Sequence, residues 1–327
     1  MTVSSKTPGC SMNDGAAPGA GAPDAPRDGL DRRGFLRTVV GASALPALAV
    51  AGTSASARDE QASPAGASPC DIIDVNVHLS RWPSRRLPGD DTATLVERLR
   101  ARGVVQAWAA TFDGLLHKDL GAANARLAEE CRRHGTGMLV PVGVVNPAAP
   151  DWEEDLRRCA EVLHTPAVRL YPGYHGYKLT DPAFARLLRL AADRRLVVQL
   201  AVVMEDERMM HPLMRVEPVE TGPLLELLGQ VPRLRLVLLN ALRTLRGKAL
   251  ADLLGAGEVY VEISMLETVG GVATLLAHAP LGRVLFGSHA PCFYFESALL
   301  KLRESPLSDS QLRAIRSENA RGLLRLS

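Results

Sequence analysis

The sequence predicts an α/β fold, a single (β/α)8 barrel, and three observations predict it. From Asp71 onward, short β-branched or apolar runs alternate with helical patterns. Eight such runs fit within about 250 residues, the usual span of this architecture. No Gly-x-Gly-x-x-Gly follows the first run, which removes the usual reason for a doubly wound sheet. The expected strands are, in order, Ile72–Val77, Val104–Thr111, Leu139–Val145, Ala167–Tyr171, Leu196–Val202, Leu234–Leu239, Val259–Ile263 and Arg283–Phe286. Helical spacing of apolar residues predicts helices over Thr94–Arg102, Ala122–Arg133, Trp152–Leu163 and Ala183–Asp193. Asp151 followed by Glu154 reads as a capping box, and Thr180-Asp181-Pro182 sets a cap before a proline in the first turn. Gly135 and Pro166 stand where helices should stop. No internal boundary interrupts residues 71–327, so they are expected to form one domain.

Of the 327 residues, 46% are hydrophobic, which excludes a largely disordered chain, and five cysteines are too few for a disulfide scaffold. A formal charge of +2 supplies no field for gripping nucleic acid or an anionic membrane. Residues 1–30 are rich in Gly, Ala, Pro and Ser and are expected to be disordered, because they bury too little to offset their ordering entropy. Then come Asp31-Arg32-Arg33-Gly34-Phe35-Leu36-Arg37, a short weakly apolar stretch and Ser54-Ala55-Ser56-Ala57. This order resembles a twin-arginine export signal ending at residue 57, with 58–70 as a linker. The expected partner is the twin-arginine export machinery and the expected location is periplasmic or extracellular. The apolar stretch is too short to serve as a membrane anchor. Cys131 and Cys159 fall on neighbouring helices and could pair after export.

A barrel sorts its polar residues. Segments after strands lie on the catalytic rim, and segments after helices lie on the opposite one. Among eight histidines, His134, His164 and His278 sit at helix ends and read as structural. His78, His117, His175, His211 and His289 follow strands, and His117 reads as a helix start. Alternation along the first strand puts Asp74, Asn76 and His78 on one side and Ile73, Val75 and Val77 on the other. The apolar set should pack on helices, turning the polar set into the barrel. The same parity turns Arg169, Tyr171, Gln199, Ala201, Glu262 and Ser264 inward. A buried guanidinium needs a partner, so Arg169 should meet Asp74 or Glu262. A structural ion pair and a substrate-binding role explain it equally well.

Asp74-Val75-Asn76-Val77-His78, Leu285-Phe286-Gly287-Ser288-His289-Ala290-Pro291 and Asn319-Ala320-Arg321-Gly322-Leu323-Leu324 resemble three segments of the amidohydrolase superfamily. They look like the first-strand motif, the strand-eight segment and the closing helix of its amidohydrolase-related branch. Val168-Arg169-Leu170-Tyr171-Pro172 fits the middle, so the resemblance runs from Asp71 to Leu326. It implies a metal-dependent hydrolase or decarboxylase with a small-molecule substrate. The branch usually has two His on strand one, one each on strands five and six, and an Asp on strand eight. The matching positions here are Asn76, His78, Ala201, Asn240 and His289, and Arg169 is close to the place of a strand-four lysine.

The resemblance therefore leaves two arrangements open. One is a single divalent metal, zinc or manganese, on His78 and His289, completed by Glu205, Asp206, His211 or His175. The other has no metal: His289 takes a proton from water while His78, Asn76, Asn240 and Arg169 stabilise the developing oxyanion. Tyr171 and His175 would line the pocket. The run Met204-Glu205-Asp206-Glu207-Arg208, with Met209, Met210 and Met214, reads as a solvated loop able to cover it. Cys292 reads as a buried thiol. The expected activity is hydrolysis of a small carboxylate, ester, lactone or amide. Loss of carbon dioxide, and non-catalytic binding by a barrel without its metal, stay open beside it.

Overall fold

A computed structural model describes residues 71–135 and 137–325. Segments 1–57 and 58–70, where the export signal and linker are expected, lie outside the described residues. Eight parallel strands neighbour one another in chain order: β1 (Ile72–Leu79), β2 (Val104–Thr111), β3 (Leu139–Val144), β4 (Ala167–Leu170), β5 (Val197–Ala201), β6 (Arg235–Leu239), β7 (Glu258–Glu262) and β8 (Val284–Leu285). Val75 N donates to Phe286 O at 3.0 Å and His78 N to Ala290 O at 2.9 Å, bringing the last strand back to the first. The result is a TIM barrel.

Helices over Thr92–Ala101, Leu120–His134, Trp152–Glu161, Pro182–Asp193, Leu224–Gln230, Gly247–Gly255 and Gly271–Leu276 separate the strands. Asp91 and Asp119 cap the first two by accepting from Thr94 N and Ala122 N, both at 2.8 Å. The capping box expected at Asp151 is absent. Its backbone, at φ −101° and ψ 18°, is not in the extended conformation that aims a cap side chain at the first turn. Gly135 ends the second helix and Pro182 opens the fourth, as their chemistry dictates.

Alternation sorts the core into two layers. Val168, Leu170, Val198, Leu200, Leu236, Leu238, Val259 and Val261 pack against helix residues such as Leu156, Leu187, Leu188 and Leu253. Ala167, Val197, Val237, Tyr260 and Leu285 fill the interior instead. Arg235, at the start of β6, donates to Leu323 O at 2.8 Å, and Ala320 and Leu323 join the interior cluster from the closing helix. Strand β1 departs from simple alternation. Its pairing with β2 shifts register between Ile72 and Ile73 and again between Asp74 and Val77. Ile73 and Val75 consequently lie in the interior cluster, and of the three expected outer residues Val77 alone packs with the helices. Such a bulge bends a strand and re-aims its side chains. It leaves Asp74 beside the Ser288 segment, while Asn76 and His78 reach the interior.

Cys131 and Cys159 are buried free thiols, and burial pushes both up to about 12. Among the described residues, no helix is long and apolar enough to cross a membrane.

Candidate active site

The barrel axis carries a fully buried polar cluster. Asp74, Asn76, His78, Arg169, Gln199, Asn240, Glu262, Ser288 and His289 have no exposed surface. Arg169, projecting from β4, holds the middle. Its Nε donates to Gln199 Oε1 at 2.8 Å. Its Nη1 meets His78 Nε2 at 2.9 Å, Val77 O at 3.2 Å and Asn76 Oδ1 at 3.3 Å. Its Nη2 donates to Val75 O at 3.3 Å and Trp108 O at 3.4 Å. A guanidinium has five N–H groups, and these acceptors use all of them. The expected pairing of Arg169 with Asp74 or Glu262 is not what forms. The guanidinium is satisfied by neutral oxygens and one imidazole, because the bulge in β1 turns two carbonyls toward it.

The two acidic groups have donors of their own. Glu262 Oε1 accepts from Asn240 N at 2.6 Å and Ser264 Oγ at 2.8 Å, and Oε2 accepts from Ser264 N at 2.6 Å. Asn76 Nδ2 donates to Asn240 Oδ1 at 2.8 Å, tying β1 to the end of β6. Asp74 accepts from Asn76 N and Ser288 N at 3.0 Å, and from Ser288 Oγ at 2.5 Å. Burial nevertheless outweighs these bonds and raises its carboxyl to about 7.

At the C-terminal rim the His78 and His289 rings lie 5.3 Å apart, edge to face. Phe112 stacks on His78 at 4.6 Å and Phe293 meets His289 edge-on at 5.3 Å. Tyr171 Oη lies 3.1 Å from His78 Nε2. One imidazole lone pair cannot accept from both neighbours. With Arg169 holding it, the Tyr171 hydroxyl proton is free for another acceptor. Burial raises that phenol to about 12, so it keeps its proton. His289 Nε2 faces Met204 O at 2.8 Å, which assigns the ring proton to Nε2. Its Nδ1 is buried and has no partner. Burial lowers His289 to about 4 and, with help from Arg169, takes His78 well below its ordinary range. Both rings are neutral at physiological pH.

Met204 and Glu205 roof this pair. Glu205 Oε1 is bonded at 2.5 Å by Arg85 Nη1, whose guanidinium lies over the Trp82 ring at 5.8 Å. A cavity of about 220 Å³ beside the roof is lined by residues that include Val203, Glu205, Met210, Arg215 and Arg243. A smaller one touches Tyr171, Ala201 and Met204. Neither is lined by His78 or His289.

The structure thus brings together Asn76, His78, Arg169, Tyr171, Asn240 and His289. His175 borders this group: its ring meets Tyr171 edge-on at 5.9 Å, while its Nε2 turns to Gly114 O at 2.8 Å and its Nδ1 is buried without a partner. His117 follows a short helical turn, Asp113–Leu116, rather than starting a helix. Sequence reasoning missed Met204 O, Ser288, Phe112 and Arg85. Ser288 is legible only as the neighbour of His289, and a backbone carbonyl leaves no trace in a side-chain pattern.

The donors do not suit a divalent metal. His78 Nε2 is taken by Arg169, His289 has only Nδ1 free, and Ala201 offers nothing. Glu205 serves Arg85, Asp206 serves Arg208 and Arg243, and His211 is exposed on the loop. Among the described residues no three His, Cys, Asp or Glu side chains converge as a metal site requires.

An eight-stranded barrel with a polar rim at the ends of its strands defines a class of enzyme scaffolds. Within it, a family model described as amidohydrolase matches residues 73–326, and the chain belongs to that family, whose members are enzymes. A comparison with curated proteins finds no match. Among solved structures, 2,6-dihydroxybenzoate decarboxylase from Rhizobium is 13% identical, with a TM-score of 0.60 over 78% of this chain and 98% of that one. The 5-carboxyvanillate decarboxylase of Novosphingobium aromaticivorans, complexed with manganese, is 14% identical, with a TM-score of 0.61 over 78% and 96%. A TIM-barrel protein of Bordetella bronchiseptica is 17% identical, with a TM-score of 0.61 over 78% and 99%. At these identities the likeness is one of fold.

Proposed function

We propose that this chain is a hydrolase acting on a small carboxylate, ester, lactone or amide, with His289 as the base that takes a proton from water. One observation carries the reading: the buried, unpartnered Nδ1 of His289, left with a lone pair because Met204 O fixes the other nitrogen as the proton bearer. A neutral imidazole can accept a proton in the transition state; its lowered proton affinity makes it a weaker base but keeps it unprotonated near neutrality. The Tyr171 hydroxyl, 3.1 Å from His78, would be the donor to a developing oxyanion, and Arg169 supplies a fixed positive field beside it. His289 is fully buried and bonded to Met204 O, so turnover requires this loop to move aside.

A second reading, loss of carbon dioxide from a small aromatic carboxylate, is favoured by the names of two structural neighbours. It needs a protonated group to deliver a proton to carbon, and the lowered proton affinity of His289 works against that. We also propose that the chain reaches the periplasm or the exterior through the twin-arginine route, on the strength of Arg32-Arg33 and Ser54-Ala55-Ser56-Ala57. Arg32→Lys with Arg33→Lys should then hold the protein in the cytoplasm, and normal secretion of that variant overturns the export reading.

The test of function is a panel of esters, lactones, amides and hydroxybenzoates, assayed for acid release and for carbon dioxide, with His289→Asn as the control. Hydrolysis that falls by about 10²–10⁴ in the variant supports the proposal. Carbon dioxide release favours the second reading. Saturable binding without turnover of any compound shows a binding protein and overturns both.

A further inference from the structure

We propose that Arg169 is a resident cation standing in for the metal of this family, and that the barrel interior excludes a divalent ion. The inference holds whether the reaction is hydrolysis, loss of carbon dioxide or neither. The guanidinium reaches Asn76 and His78, the positions that the resemblance assigns to the first-strand ligands. It does so with Val75 O, Val77 O, Trp108 O and Gln199 Oε1 closing around it, so six acceptors face one cation. That is the oxygen-rich shell of a cation site, filled by a side chain.

The remaining donors confirm the fit. His78 Nε2 lies 2.9 Å from Arg169 Nη1 and 3.1 Å from Tyr171 Oη, so its one lone pair is already engaged by a donor. Asn240 Oδ1 already accepts from Asn76 Nδ2 at 2.8 Å, and Ser264 Oγ, with one proton to share between Asn240 Oδ1 and Glu262 Oε1, lies 2.8 Å from each. The oxygens of Asp74 and Glu262 face backbone and hydroxyl donors. None is left to pull an ion in. A divalent cation arriving beside Arg169 would meet a buried positive charge with no ligand released to balance it. Along the barrel axis only His289 Nδ1 is free, and a single nitrogen does not hold zinc or manganese; the other unpartnered imidazole nitrogen, His175 Nδ1, belongs to a ring held on Gly114 O behind Tyr171.

Two measurements test this. The first is metal content by mass spectrometry of the full chain, purified without chelator and again after incubation with manganese or zinc chloride and desalting. The expected result is far less than one metal per chain, with a melting midpoint unmoved by EDTA. One retained metal per chain, lost in His78→Ala and His289→Ala, overturns the proposal. The second uses Arg169→Ala, which empties the shell while leaving the acceptors. Millimolar guanidinium should raise the melting midpoint of this variant and leave that of the unaltered chain unchanged. A variant that melts like the unaltered chain and ignores guanidinium overturns the assignment of Arg169. If Arg169→Ala yields no folded protein, the metal content of the unaltered chain decides alone.

Discussion

Replacing Asp74 by Asn turns the buried electrostatics of the barrel into a measurable pH dependence. Burial is the largest influence on Asp74 and raises its carboxyl from 3.8 to about 7, against the bonds from Ser288 and Asn76 and with a smaller push from Glu262. The folded chain therefore binds a proton that the unfolded chain releases between these values. Stability from this group is fully present below about pH 4 and is lost as pH rises toward 7, then levels. The difference between 3.8 and about 7 corresponds to about 4 kcal/mol. An asparagine keeps Oδ1 as acceptor for Asn76 N and Ser288 N, turns Nδ2 toward Ser288 Oγ, and does not titrate. Relative to the unaltered chain, Asp74→Asn should gain up to about 4 kcal/mol between pH 4 and pH 7. Urea melts across that range, followed by the fluorescence of the buried Trp82, Trp108 and Trp152, read it directly. Parallel stability curves, or an advantage that shrinks with rising pH, would refute the reasoning.

Three further outcomes are expected. Gly287→Ala would drive a Cβ into the Glu262 carboxyl group, so it should destabilise by about 1–3 kcal/mol in denaturant melts. Glu258 takes both ends of the Arg283 guanidinium at 2.7 Å, which holds its carboxyl down at about 2. That stabilisation is present above its ordinary 4.5 and is lost as pH falls through about 2; the pair is partly exposed, so Glu258→Gln should cost only about 1 kcal/mol near neutrality. Arg85→Ala strips Glu205 of its partner, and amide exchange around Met204 and Glu205 should speed up by about tenfold if this pair holds the roof down.

The barrel was readable because each strand carries its own signal: a β-branched run, a stop before it and a cap after it. Strand edges moved by a residue or two, as terminal pairing depends on the neighbour. The bulge in β1 was not readable. Ile73, Val75 and Val77 look equivalent in the sequence, and only the pairing with β2 separates them. Arg169 illustrates the same limit at the site. Its inward direction follows from parity, but its partners follow from the stagger between strands, which brought carbonyls of β1 and β2 to it instead of Asp74 or Glu262. Glu205 and Arg85 meet across 120 residues, with no local pattern to announce it. His175 could be placed after β4 but not aimed, since the turn that follows swings it to Gly114 O.

A barrel interior held only for stability should leave no buried polar atom without a partner. Along this axis Asp74, Glu262, Asn240 and Arg169 satisfy that rule, and His289 breaks it at the rim. Its backbone also stands at φ 59°, a region that non-glycine residues adopt at a cost. Strain and an unpaired nitrogen in one residue are hard to explain by packing, and they fall where barrels of this kind place their chemistry. Asparagine tolerates this conformation better than histidine. The relief in His289→Asn should offset much of the packing lost against His78 and Phe293, leaving stability within about 1 kcal/mol while turnover disappears. A loss of about 3 kcal/mol or more in urea melts would instead make His289 a core residue and remove the base from the mechanism.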